Sequence, residues 1–448
     1  MNFRLIICST FSALALGLAN AADSNSTYGQ LSSDTQVSGG PAALLSSTIS
    51  LTSASWVFVQ SDGRYFPSGG ALANAYIDVD GEVISNDSVI DWRGVPKPQQ
   101  HSFNVVGAKY LQPGTYTFTL RGSTVGAAAN FGAGTNLSVV TNAATTVTNT
   151  ALSADTPQLS FDTSNTPEGT AIPAVGRSTL ATASASNDSG PVVAFASGRS
   201  FVFGDYGDAM YGIFLNGNEP NIDSMTWSIN DLFTGAELQA PMFSQAMFLS
   251  PPSQSTVQFI ASESPYYQPV AATTNNVKYK VGGNSRLVTL SGGMTVFGKG
   301  LTPNYPYSSQ GQNSRYAYVC VGTNGYNSSC PPSGGEVVIG QGSVCIPSGH
   351  NGIVLFSAKT RVQGDADDSG GTILLKIKID GNPVGAIGVQ DLASAPDAAS
   401  TRTISASYLS AGGAALTVGC HSAQVVGQVF GSFRNLAMNA DMPLMWFD

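Results

Sequence analysis

Few residues in this chain are equipped for chemistry. His101, His350 and His421 are the only histidines, and no two of them have the spacing of a metal pair. Gly-x-Ser-x-Gly, which lifts a serine nucleophile on a tight turn, does not occur. Nor does His-Glu-x-x-His, which sets two imidazoles on one helical face. A glycosidase needs only two carboxylates about 5 to 10 Å apart, but Glu is scarce and no acid is expected inside an apolar strand pattern. The clearest metal signal is "GDADDSGG". Asp365, Asp367, Ser369 and Gly370 fall at positions 1, 3, 5 and 6 of an EF-hand calcium loop, while position 12, which should be a bidentate Glu, falls on Lys376. The flanks read as strands, so an EF-hand is excluded. Two expectations remain: calcium held at Asp365, Asp367 and Ser369 with backbone carbonyls, or a solvated acidic turn. No other cofactor is expected.

The cysteines describe a compartment. Cys8 lies in a stretch formed by Arg4, an apolar run from Leu5 to Leu18, and Ala19-Asn20-Ala21, the pattern of a secretory signal peptide cleaved after Ala21. Cys320, Cys330, Cys345 and Cys420 are left, an even number that in an oxidising compartment reads as two disulfides with three possible pairings. Zinc would favour close Cys-x-x-Cys or Cys/His pairs at ligand spacing, and neither spacing appears. The expected pairing is Cys320–Cys330, closing a local loop, and Cys345–Cys420, joining two strands that lie side by side. No later segment approaches the roughly 18 to 20 apolar residues of a spanning helix. The expected location is therefore secreted or on the extracellular surface, or periplasmic if the source is bacterial.

These residues need elements to position them, and the sequence repeats its elements. "AYIDVDGEVIS" from Ala75 returns as "LKIKIDGNPVG" from Leu375 and more loosely as "YGIFLNGNEPN" from Tyr211. Each is an alternating strand that meets Asp80-Gly81, Asn216-Gly217 or Asp380-Gly381, dipeptides that supply positive φ in tight hairpin turns. A second phrase follows: "KYLQPGTYTFTL" from Lys109, "MFLSPPSQSTVQF" from Met247 and "SYLSAGGAALTV" from Ser407. From Asp80 to Leu111, Asn216 to Leu249 and Asp380 to Leu409 is 31, 33 and 29 residues. Two independent signals at near-constant spacing mean repeated domains. The expected fold is all-β, three tandem antiparallel β-sandwich modules with separate cores, jelly-roll-like or alternatively immunoglobulin-like.

The divisions follow: signal peptide 1–21, a flexible N-terminal segment 22–43, module 1 over 44–142, and a Ser/Thr-rich linker over 143–190. Module 2 then spans 191–292, a Tyr-rich disulfide-stapled insertion 293–343, and module 3 344–448. Two tryptophans fall at matching places, Trp92 12 residues after Asp80 and Trp227 11 after Asn216. The third copy has Asp391-Leu392 there and no Trp. Trp92 and Trp227 read either as ligand platforms or as core aromatics, which dominate sandwich interiors.

At the level of these phrases the modules resemble jelly-roll carbohydrate-binding modules, in which a strand ends in an Asn-Gly or Asp-Gly turn and a later Leu-x-x-Gly turn introduces another. The resemblance implies glycan recognition through exposed aromatics on loops or on a concave sheet.

Composition agrees with an exported binding protein. Only 10% of residues are charged, against about a quarter in a typical chain. The net charge of -9, with 19 Lys and Arg, is the wrong balance for nucleic acid. The expected function is secreted, non-catalytic binding or adhesion directed at a polysaccharide or cell-surface glycan. The alternatives are a self-associating structural surface or matrix protein, a glycan-active enzyme, and a pore former using segment 143–190.

Overall fold

The computed structural model describes residues 26–67, 69–91, 93, 100–144, 146–152, 156–161, 178–186, 190–203, 207–217, 226–230, 238–248, 251, 254–263, 277–292, 294–297, 317–321, 334–392, 400–442 and 444–447. Among these, strands account for nearly all the regular structure, all paired antiparallel, and no helix is long and apolar enough to cross a membrane. The all-β, multi-module sandwich expectation is met.

Each module is built on a long central strand. Ser55–Pro67 pairs with His101–Leu111 on one side and with Asn136–Thr141 and Ala129–Phe131 on the other. Val192–Phe203 does the same with Leu238–Phe248, Arg286–Ser291 and Val277–Val281. In the third module Ile353–Ile379 pairs first with Ser400–Ser410 and Leu444–Phe447, then with Asn382–Leu392. It also runs beside Gly419–Asp441 through both halves, so two sheets become one eight-stranded sheet. The first two modules keep separate sheets of six and five strands and of six and four strands.

Three segments differ from expectation. Thr27–Gln30 and Thr35–Val37, in the segment read as flexible, pair with Asn136–Thr141 and Ala129–Phe131. Thr146–Ala151, Thr156–Phe161 and Ser178–Ser186, in the segment read as a linker, pair with Arg286–Ser291, Val277–Val281 and Gln254–Glu263. Met294–Phe297, Ala317–Val321 and Glu336–Ile346, in the segment read as an insertion, join the third sheet. The misreading has a physical cause. Several of these are sheet-edge strands, which bury one face, and in the Ser/Thr-rich segment mostly small side chains fill it, with Ala181, Ala183 and Ala185 buried beside Val147 and Leu180.

The acidic stretch is also not a loop. Residues 365–370 lie within the continuous strand Ile353–Ile379, with Asp365 opposite Asn435 and the register shifting between Asp365 and Ala366 and again between Ala366 and Gly371. From Ala366 to Gly371 the strand advances five residues while its partner advances two, from Phe433 to Gly431, an interruption wider than a one-residue bulge.

The cores alternate along the central strands. Val57 and Val59 face the interior of module 1, Val192 and Ala194 that of module 2, Val354 and Phe356 that of module 3. The residues between them point the other way and are buried too. Phe58 lies between Ala108 and Val140, Val193 between Met247 and Leu290, Leu355 between Leu409 and Met445. All nine pack into one apolar cluster that draws on all three modules. The expectation of separate cores is therefore corrected: each sandwich has its own interior, and a fourth core joins them.

Candidate functional site

Two residues further along the first and third central strands, at Gln60 and Ser357, the fourth core turns polar, while the second strand keeps Phe195 there, stacked on Phe58. Ser357 Oγ accepts from Gln60 Nε2 at 2.9 Å and donates to Gln245 Oε1 at 2.9 Å, while Gln245 Nε2 donates to Ser357 O at 2.9 Å. One hydroxyl thus links all three modules. Asn136 Nδ2 donates to Ser407 O at 2.7 Å, and Ser197 Oγ to Asn104 O at 2.8 Å. Asp62 sits among them, fully buried, accepting from Asn104 Nδ2 at 2.9 Å and Gln60 Nε2 at 3.0 Å. Burial pushes its carboxyl above the usual carboxylate range, while the surrounding amides and hydroxyls pull it back. An acid inside a strand was not expected, and Asp62 corrects that. Its neighbours are neutral amides and hydroxyls, so the cluster reads as a specificity-giving seam.

The repeated turns are as the sequence predicts. Asp80 and Gly81 have φ of 49° and 89°, Asn216 and Gly217 52° and 73°, Asp380 and Gly381 50° and 81°. In every copy the turn residue also clasps the next strand. Asp80 N donates to Thr117 O and Thr117 N to Asp80 Oδ1, Asn216 does the same with Thr256, and Asp380 with Ser422. The third clasp carries an addition: Asp380 Oδ2 lies 2.7 Å from His421 Nδ1, and His421 Nε2 is 2.9 Å from Thr417 O. The hydrogen bond to Asp380 raises the imidazole pKa, and the same bond lowers that of Asp380. Acceptors at both nitrogens stabilise the imidazolium relative to the neutral ring.

Beside this site Cys345 and Cys420 stand opposite one another on Glu336–Ile346 and Gly419–Asp441 and form a disulfide, as expected. Cys320 lies on Ala317–Val321 opposite Leu436, while Cys330 falls outside the described residues.

Trp92 lies outside the described residues, next to the end of Ser88–Asp91. Trp227 is on Thr226–Asn230 opposite Met210, with its side chain outside what is described. The side chains of Asp365, Asp367 and Ser369 are likewise outside it. Among the described residues no group of three or more His, Cys, Asp and Glu is placed to hold a metal.

An aromatic pair that sequence reasoning missed is well placed. Trp56 and Tyr110 face each other across Ser55–Pro67 and His101–Leu111, ring centroids 5.5 Å apart at 62°. Trp56 packs against the shared core, and Tyr110 is 49% exposed. They share a face with Phe58 and Ala108, at the end where that face emerges from the junction. The signal was the run "SWVFVQ", apolar at successive positions, which marks a strand covered on both faces.

No family model and no curated protein matches the chain. Among solved structures it is similar to a chain of Sulfolobus Turreted Icosahedral Virus, at 9% identity and a TM-score of 0.19, covering 90% of this chain and 96% of that one. It is also similar to the N-terminal CBM22-1-CBM22-2 tandem domain of Paenibacillus barcinonensis Xyn10C, at 10% identity and a TM-score of 0.15, covering 60% and 95%. At these TM-scores neither likeness bears on fold or function.

Proposed function

We propose that the chain is a secreted, non-catalytic binding or adhesion protein that recognises carbohydrate, with Trp56 and Tyr110 as a contact platform. The observation that carries the reading is the edge-to-face pair, exposed Tyr110 on half-buried Trp56, at the end of an otherwise sealed face. Aromatic rings offer broad apolar contact with a polar handle, which suits the C–H face of a sugar. A chain that is only 10% charged presents hydroxyls and amides around it rather than ions. Trp92 and Trp227 are further platforms in this reading, calcium at Asp365, Asp367 and Ser369 a structural ion, and Cys320–Cys330 the second disulfide. A glycan array probed with the mature protein tests it. Retention of one sugar class, lost in Tyr110→Ala with the melting temperature unchanged, is the expected result. No retention of any glycan, or retention untouched in Tyr110→Ala, Trp92→Ala and Trp227→Ala, would overturn it.

The junction favours a second reading, a structural surface protein that assembles with its own copies, because three sandwiches joined through a common core make a stiff building block. Concentration-dependent filaments in the absence of glycan, seen by sedimentation, would support this over the first.

A further inference from the structure

Asn-x-Ser/Thr marks an acceptor for N-linked glycan, and a glycosylated Asn stands on the surface because the sugar is bulky and hydrated. The chain has such triplets at Asn25, Asn86, Asn136, Asn187 and Asn327. Asn86 and Asn136 are described, and both are 0% exposed.

Each buried amide fills a place in a strand ladder. Asn86 N donates to Val106 O, and Asn86 Oδ1 accepts from Val106 N at 2.9 Å, so one residue serves Val106 as both neighbouring donor and acceptor. Backbone closes in beside it: a Cβ on Gly107 would lie 2.4 Å from Ile84 O. Asn136 Oδ1 accepts from Asp62 N at 2.8 Å at the end of the ladder between Asn136–Thr141 and Ser55–Pro67. Its Nδ2, the atom that would carry sugar, donates to Ser407 O and Ser407 Oγ across the junction to the third module. The hydroxyl residues of both triplets tell a complementary story. Ser138 Oγ is buried with no hydrogen-bond partner among the described residues, and Ser88 takes the Tyr65 hydroxyl on its backbone O at 2.6 Å, a contact that alanine would keep. The asparagine amides are bound into the fold more tightly than the serine hydroxyls that complete the triplets.

We infer that Asn86 and Asn136 are closed to N-glycosylation in the folded molecule, and that sugar attached to either before folding blocks the fold. Asn136 is the more severe case, since its glycan would occupy the seam between modules. The chain therefore matures by a route in which neither triplet is modified before the sandwiches close.

The test is to produce the full chain in a secretory host that performs N-glycosylation and in one that does not, and to map site occupancy in the folded, monodisperse fraction. Asn86 and Asn136 are expected to be unmodified in every folded molecule, with glycan at these sites confined to retained or aggregated material. Ser88→Ala with Ser138→Ala removes both triplets and leaves both asparagines. It is expected to raise the folded yield in the glycosylating host and leave it unchanged in the other. Folded wild-type protein bearing glycan at Asn86 or Asn136 overturns the inference, whatever the double variant does.

Discussion

Asp80, Asn216 and Asp380 show how a single residue is fixed by two demands. Each must accept positive φ, which Asn and Asp tolerate better than most residues, and each must offer an oxygen to the strand alongside. Asn216 already serves in the second copy, so Asp80→Asn is expected to leave the melting temperature close to wild type. Asp80→Ala strands the Thr117 N–H and should cost about 1 kcal/mol in a denaturant melt. A Cβ on Gly81 would meet no atom within 4 Å, so the cost of Gly81→Val is chiefly backbone strain at positive φ, about 1 to 2 kcal/mol. The His421–Asp380 pair adds a pH dependence. His421 is raised by Asp380, so its contribution is complete below its unfolded pKa and is lost as pH rises through the folded one. Asp380 is lowered by His421, so its contribution is present above its unfolded pKa and is lost as pH falls through the folded one. The melting-temperature gap between wild type and His421→Ala should therefore be widest between about pH 4 and 6.5, and narrow on both sides and in high salt. The turns were legible because their chemistry is local. Trp56, Tyr110, Asp62 and Asn136 are not, because their roles depend on strands far off in the chain, 54 residues from Trp56 to Tyr110 and 271 from Asn136 to Ser407.

Among elements, what could be read depended on burial. Strands that alternate, such as Ala71–Val79 and Gly114–Gly126, declare themselves by period two. Edge strands made of Thr, Ser and Ala bury too little to do so, and Thr146–Ala151 and Ser178–Ser186 were read as linker for that reason. The central strands carry a signal of their own, since continuous apolar runs point to two covered faces. The disulfide belongs to this scale. Cys345–Cys420 spans 75 residues of chain and joins an outer strand of the third module to the strand beside it. Cys345→Ser with Cys420→Ser is expected to lower stability by about 2 to 4 kcal/mol, with hydrogen exchange rising first in Glu336–Ile346.

At the scale of the whole molecule, the repeat in the sequence announced three sandwiches but not how they meet. The meeting is made by positions two apart on equivalent strands: Phe58, Val193 and Leu355 in the apolar part, Gln60 and Ser357 in the polar part. Removing a ring from the shared core should cost about 3 to 5 kcal/mol, and the cost should fall on all three modules because none of them closes that core alone. Calorimetry of wild type and Phe58→Ala measures this directly. A shared core predicts one dominant unfolding transition, displaced as a whole to lower temperature by the substitution. Three resolved transitions, of which only the one belonging to the first module moves, would contradict it.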